Sequence, residues 1–178
     1  MIRFHKDGVA ETDLAYAAGV LDSDGCVTVT RTHQKGSAEK SYSYVVTACV
    51  GMKCDDVPNW FLANFGGAVR IIQRNGKWSE GASVVTFFPP TYRWEMYGRD
   101  AAGFFEAVLP YLKMKRARAE AAISLVRMHR KRGQFQRERG RKLTQEEMES
   151  RTKLANFIRS ENHKSNDRVA MTAKWGIN

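Results

Sequence analysis

The spacing of hydrophobic positions switches between helical and strand periods along the chain. Leu14, Ala17 and Leu21 recur at a helical period and form one stripe of a first helix. Ala15, Ala18, Gly19 and Asp22 form a second stripe with almost no side-chain volume. Thr12 is placed to cap this helix, with Asp13 in its first turn. A face of Ala and Gly weakens a lone helix, because Gly lowers helix propensity and small side chains bury little. Such a face makes sense where another helix backbone approaches closely. After Gly25 the period becomes two. Cys26, Thr28, Thr30 and Thr32 point one way, Val27 and Val29 the other. A second run, about 42–50, sets Tyr44, Val46, Ala48 and Val50 against Ser43, Val45, Thr47 and Cys49. The two runs predict a long antiparallel hairpin with one apolar and one open, mostly polar face.

A short helix is predicted next, capped by Asp55 or Asp56, with Pro58 at its start, Trp60, Phe61, Leu62 and Phe65 as its apolar load, and Gly66-Gly67 as its stop. Residues 69–73 read as a strand, Asn75-Gly76 as a turn, and 83–88 and 92–97 as further extended runs broken by Pro89-Pro90. Helices follow over about 100–109 and 115–131, and Thr144-Gln-Glu-Glu147 is a capping box for a last helix. Residues 1–132 are expected to form a core domain and 133–178 a basic C-terminal helical extension, with the hinge at 133–142.

Charge sharpens this picture. The chain of 178 residues carries a formal net charge of +10. Residues 111–178 hold 18 Lys/Arg against 7 Asp/Glu, whereas 1–110 hold 11 against 12. The surplus lies wholly in the C-terminal part and points to a polyanionic partner, nucleic acid before a membrane surface. The basic segment 127–142 has little aromatic interleaving and suits phosphates rather than bases. No apolar run is long enough to cross a bilayer, and the N-terminal MIRFHKDGVAETD is too polar for a signal peptide. An intracellular protein is expected, cytoplasmic, or organellar if its gene sits in an organelle genome. Cys26, Cys49 and Cys54 lack CxxC spacing and read as free thiols. The four histidines lack metal-ligand spacing.

The order helix, hairpin, helix, hairpin, helix, helix, opening with Ala17-Ala-Gly-Val-Leu-Asp-Ser-Asp-Gly25, resembles the LAGLIDADG homing endonucleases. Ala17 stands where the family motif begins with Leu. Tyr92-Arg-Trp94-Glu-Met-Tyr-Gly98 is similar to the family's Y-x-W-x-x-x-G strand, and Leu109-Pro-Tyr-Leu-Lys113-Met-Lys115 to its L-P-x-L-x-x-K segment. The three blocks follow the family's order. The resemblance implies an α+β chain with the αββαββα fold, a curved antiparallel DNA-binding sheet and extra C-terminal helices. One motif copy implies a C2 homodimer on a long pseudo-palindromic double-stranded DNA site, with Ala15, Ala18, Gly19 and Asp22 at the dimer interface.

The activity implied is site-specific double-strand cleavage by phosphodiester hydrolysis with Mg²⁺, or Mn²⁺. Asp24 of each protomer, with the Ser23 backbone carbonyl, would hold the metal, since hard oxygen donors favour such ions. Asp22 either joins them or positions the helix end. Lys115 matches the basic residue that approaches the scissile phosphate, and Met52 stands where the family often keeps a polar residue beside the attacking water. The open sheet face implies DNA contacts from Thr28, Thr30, Thr32 and Gln34, from Ser43, Thr47, Cys49 and Lys53, and from Arg70 and Arg74, joined by Lys113 and Arg116. A non-cutting relative, an RNA maturase or a DNA-binding regulator on the same fold, is the alternative reading.

Overall fold

A computed structural model describes residues 8–33, 42–73, 89–128 and 144–175. Helix α1 (Glu11–Ser23) leads into β1 (Gly25–His33) and β2 (Tyr42–Met52). Helix α2 (Asp56–Phe65) precedes β3 (Ala68–Ile72) and β4 (Thr91–Tyr97). Then come α3 (Gly98–Val108), a 3₁₀ turn (Leu109–Tyr111), α4 (Arg116–Arg127) and α5 (Gln145–Trp175). The strands form one antiparallel sheet in the order β1-β2-β4-β3. The expected α+β order αββαββα is present, with the extra helices after it.

Strand alternation fixes the register, because one face is buried and a one-residue slip would invert every side chain. Val27 and Val29 of β1, Tyr44, Val46, Ala48 and Val50 of β2, and Trp94 and Met96 of β4 turn to the core. Trp94, fully buried, sits among Phe61, Phe65 and Phe104, with tilted or edge-on ring contacts to Phe61 at 4.8 Å and Phe104 at 5.2 Å. Its indole N–H donates to the Gly66 carbonyl at 2.7 Å, so the largest core side chain leaves no polar group unpaired. Gly67 lies beside it at φ +89°, where a Cβ would come within 2.8 Å of Trp94 Nε1 and 2.7 Å of the Glu95 carbonyl. That crowding, with the positive φ, makes glycine the fitting residue at the α2–β3 corner.

Two helix starts differ from the sequence reading, those of α1 and α3, while Asp55 takes the expected place before α2. Helix α1 begins at Glu11 with Ala10 as N-cap, so Thr12 lies inside the first turn rather than capping it. Asp55 is the N-cap of α2, yet its side chain accepts from Asn59 Nδ2 at 3.1 Å instead of capping the backbone. Helix α3 starts at Gly98. The capping box is present: Thr144 N–H donates to Glu147 Oε2 (2.9 Å), and Glu147 N–H to Thr144 Oγ1 (3.2 Å). Helix α5 then packs on α4 and β1, with Ala155 and Ile158 fully buried and Asn162 Nδ2 donating to the Val27 carbonyl at 3.0 Å. No helix among the described residues is long and apolar enough to cross a membrane. Gln34, Arg74, the run 83–88 and most of the basic segment 127–142 lie outside the described residues.

Candidate catalytic corner and nucleic-acid interface

The two acids of the motif point to different work. Asp22 is half-buried, and its carboxylate faces the loop before α4. Oδ2 accepts the N–H groups of Lys113 (2.7 Å) and Met114 (3.1 Å), and Oδ1 accepts that of Lys115 (2.8 Å). Three successive N–H groups ahead of a helix form an anion nest, and a carboxylate fills it. Both Asp22 oxygens thus accept backbone N–H groups of the chain itself, and the residue is half-buried rather than open on the helix surface. It positions the helix end, the other role left open for it.

Lys115 returns the contact. Its ammonium donates to the carbonyls of Leu21 (2.7 Å), Asp22 (2.7 Å) and, more weakly, Ser23 (3.4 Å), the orphan carbonyls at the end of α1. It is only 7% exposed. Burial holds its ammonium below the usual lysine range and neighbouring Arg118 adds to this, while Asp22, Cys26 and Asp24 oppose the depression. Lys115 is a buried cation capping α1 beside Asp24, rather than a surface lysine. Acid-to-backbone in one direction and ammonium-to-backbone in the other, the two side chains clamp the motif helix to the start of α4.

Asp24 stays exposed, with Ser23 Oγ donating to its Oδ2 at 3.1 Å. Gly25 follows, and a Cβ there would lie 2.5–2.9 Å from Leu21 atoms, backbone included. Only glycine lets the chain turn this tightly from α1 into β1 and leave Asp24 at the corner. Among the described residues no three His, Cys, Asp or Glu side chains gather as a metal cluster. The chain supplies one exposed carboxylate, Asp24, and the Ser23 carbonyl at this corner, both hard oxygen donors.

The open sheet face carries the predicted strand residues, at unequal depth. Thr30 and Thr32 are exposed, Thr28 and Ser43 half-buried, and Thr32 and Ser43 share a hydroxyl contact of 2.8 Å across the strands. Thr47 and Cys49 lie on the expected face but are buried, which removes them as direct base contacts. Their register partners on β4 are Tyr97 and Glu95. Arg93 Nη2 donates to Cys49 Sγ at 3.2 Å. Cys26, directly opposite Cys49, is lowered to about 6 by the Cys49 hydrogen bond, against burial and with help from Lys115, Arg118 and Arg93; Cys49 is correspondingly raised. Lys53, Lys113 and Arg116 are exposed, Arg116 paired with Glu120 at 3.2 Å. Met52 shares the parity of core-facing Val50 and packs against the core edge, so it has no place beside a polar water network.

Sequence reasoning missed Arg93, Glu95 and Tyr97, although their alternation with Trp94 and Met96 was there to be read. Arg93 Nε reaches Glu95 Oε1 at 2.9 Å, Arg70 Nε reaches Oε2 at 3.4 Å, and Tyr97 donates its hydroxyl to Oε2. Burial and the Glu95 carboxylate both push the Tyr97 phenol up.

No protein-family model and no curated protein matches the sequence. Solved structures do. The homing endonuclease I-CvuI in complex with its target is similar at TM-score 0.59 and 19% identity, over 84% of this chain and 82% of that one. The I-LtrWI LAGLIDADG homing endonuclease bound to target DNA is similar at TM-score 0.58 and 11% identity, over 87% of this chain and 47% of that one. This chain has the LAGLIDADG homing-endonuclease fold. An archaeal intron-encoded homing endonuclease, I-Vdi141I complexed with DNA, shares the LAGLIDADG fold at TM-score 0.60 and 15% identity, over 85% of this chain and 84% of that one.

Within this LAGLIDADG fold the outward surface of α1 is turned from the expected stripe. Ala18 is fully buried against the protomer's own core, because α1 packs on α3, β1 and the 3₁₀ turn. It cannot lend its side chain to a seam. The surface left outside is Thr12, Ala15, Tyr16, Gly19 and Ser23. Tyr16 is 50% exposed and edge-on to Trp60 at 4.9 Å, and a Cβ at Gly19 would meet nothing within 4 Å.

Proposed function

We propose that the protein is a site-specific double-strand DNA endonuclease that works as a homodimer with a divalent metal. The observation that carries this reading is the corner itself. An exposed Asp24 stands at the end of a helix whose outer surface carries Ala15 and Gly19 beside Tyr16, next to a buried cation and at the start of β1. Homing endonucleases of this fold were crystallised on their DNA targets, I-CvuI among them with Ca or with Mg present.

Two copies meeting along Ala15 and Gly19 would bring two Asp24 carboxylates to the symmetry axis. Like charges so placed repel unless cations lie between them. Asp24 and the Ser23 carbonyl of each copy form an all-oxygen donor set that fits Mg²⁺ or Mn²⁺. Ser23 suits this because its contact with Lys115 is long, which leaves the carbonyl with acceptor capacity. When bound, the metal supplies an activated water and charge stabilisation for phosphodiester hydrolysis. The chain's own residues do the rest. The Asp22–Lys115 clamp fixes the height of Asp24, and the Lys115 charge raises the local potential where the phosphate gains charge. Thr28, Thr30, Thr32, Ser43 and Arg70 face the major groove, which admits a two-stranded ribbon, while Lys53, Lys113 and Arg116 meet phosphates at the rim.

The test is a plasmid library of random inserts incubated with Mg²⁺. The wild-type protein linearises a subset of plasmids, and Asp24→Asn binds the same inserts without cutting them. Normal cutting by Asp24→Asn would refute the corner. The core-facing Met52 favours one second reading, a non-cutting relative, which tight RNA binding without plasmid cleavage would identify.

A further inference from the structure

The open sheet face holds an acid where a polyanion would dock. Glu95 lies in the middle of the open face, its side chain only 10% exposed. A buried carboxylate facing DNA repels it unless its charge is already spoken for. Here it is: both oxygens are taken, Oε1 by Arg93 and Oε2 by Arg70 and Tyr97. Each arginine uses its Nε edge on Glu95. For Arg93 an Nη continues to Cys49 Sγ, so that guanidinium is anchored at two points within the sheet. Arg70 differs, for its side chain is 64% exposed and its described ion pair is through Nε alone. Among the described residues its two Nη atoms have no partner. A guanidinium held through Nε alone keeps both terminal nitrogens for a bidentate contact to guanine O6 and N7.

We infer that Glu95 is a positioning residue that holds Arg70 as a pre-oriented reader of one guanine in each half-site. The inference rests on the DNA-endonuclease reading. Glu95 touches no base, and it acts by fixing the Arg70 fork and by removing charge that would otherwise favour any phosphate. Arg70, Arg93 and Glu95 together carry +1; without the acid they carry +2. Loss of Glu95 therefore moves the face from base readout toward backbone attraction, which is blind to sequence. Positioning by a buried neighbour is how binding sites achieve directional contacts on exposed side chains.

The experiment is selection of bound duplexes from a randomised pool at fixed salt, with sequencing of the survivors. Wild-type protein is expected to enrich a guanine at symmetry-related positions. Arg70→Lys keeps the charge and loses the fork, so it loses that guanine about tenfold or more while keeping overall affinity. Glu95→Gln loses the same guanine, binds random duplex more tightly than wild type, and shows a steeper salt dependence. A structural role alone would lower the melting temperature of Glu95→Gln and leave the selected sequence intact. Retention of the guanine by Glu95→Gln, or its retention by Arg70→Lys, overturns the inference while leaving the endonuclease reading standing. If wild-type protein enriches no sequence at all, the endonuclease reading falls and takes the inference with it.

Discussion

Replacing Lys115 by Met keeps much of the side chain's volume and removes its charge, so it isolates the clamp at the end of α1. The ammonium makes two 2.7 Å bonds to backbone carbonyls. Hydrogen bonds to charged groups contribute about 1.5–3 kcal/mol each. The desolvation that depresses the lysine offsets part of this. A net loss of about 3 kcal/mol is expected, and at about 2–4 °C per kcal/mol for a chain of this size the melting temperature falls by about 6–12 °C. Asp22→Asn removes one acceptor oxygen and turns an amide N–H₂ toward one or two of the three N–H donors, so it is expected to cost a similar amount. The two variants break one fastener from its two sides. The double variant should therefore be less damaging than the sum of the singles by at least about 1 kcal/mol. Urea melts of the four proteins at one protein concentration measure this directly. Strict additivity, or single variants within about 0.5 kcal/mol of wild type, would show that the reciprocal contacts do not act as a unit.

Gly19→Gln adds a good helix former where a Cβ meets open space, so it should raise protomer stability by about 0.5 kcal/mol. The same change should abolish dimerisation, read as sedimentation mass with DNA bound; an unchanged dimer mass would exclude this surface of α1 as the seam. Gly25→Ala forces a Cβ within 2.9 Å of the Leu21 carbonyl and should cost about 1–3 kcal/mol while cutting cleavage more than binding. Chelation of divalent metal should stop cleavage yet leave duplex binding measurable by gel shift; cutting that persists in excess chelator would remove metal from the mechanism. Trp94→Phe loses the Gly66 hydrogen bond and leaves space among Phe61, Phe65 and Phe104, and should destabilise by about 2–3 kcal/mol in the same urea melts.

What was legible in the sequence was local. The β1 and β2 faces were readable because alternation with one buried side leaves a single register. The capping box at Thr144 was readable because both hydrogen bonds span three residues. The end of α1 was not. Asp22 meets Lys115 across 93 positions, and no spacing rule predicts a carboxylate choosing distant backbone over solvent. Ala18 was assigned to the outer face because a small residue fits either a seam or a crowded core, and only the packing of α3 and the 3₁₀ turn decides between them. Thr47 and Cys49 have the right parity, but their neighbours across the sheet come from β4, far along the chain. Arg93 and Glu95 are not marked as a site by the sequence because their ion pairs depend on the alternate face of β4 and on Arg70 of β3.

The reciprocal fastening of Asp22 and Lys115 has a consequence for engineering. Its hydrogen bonds run between the end of one helix and the loop that starts another, and none of them goes to a strand. If the chain is an endonuclease, side chains on the far threonines and on β3 can therefore be exchanged without disturbing the corner at Asp24. On that reading, a library that randomises Thr30, Thr32, Ser43 and Arg70 together should keep cleavage while its target sequence changes.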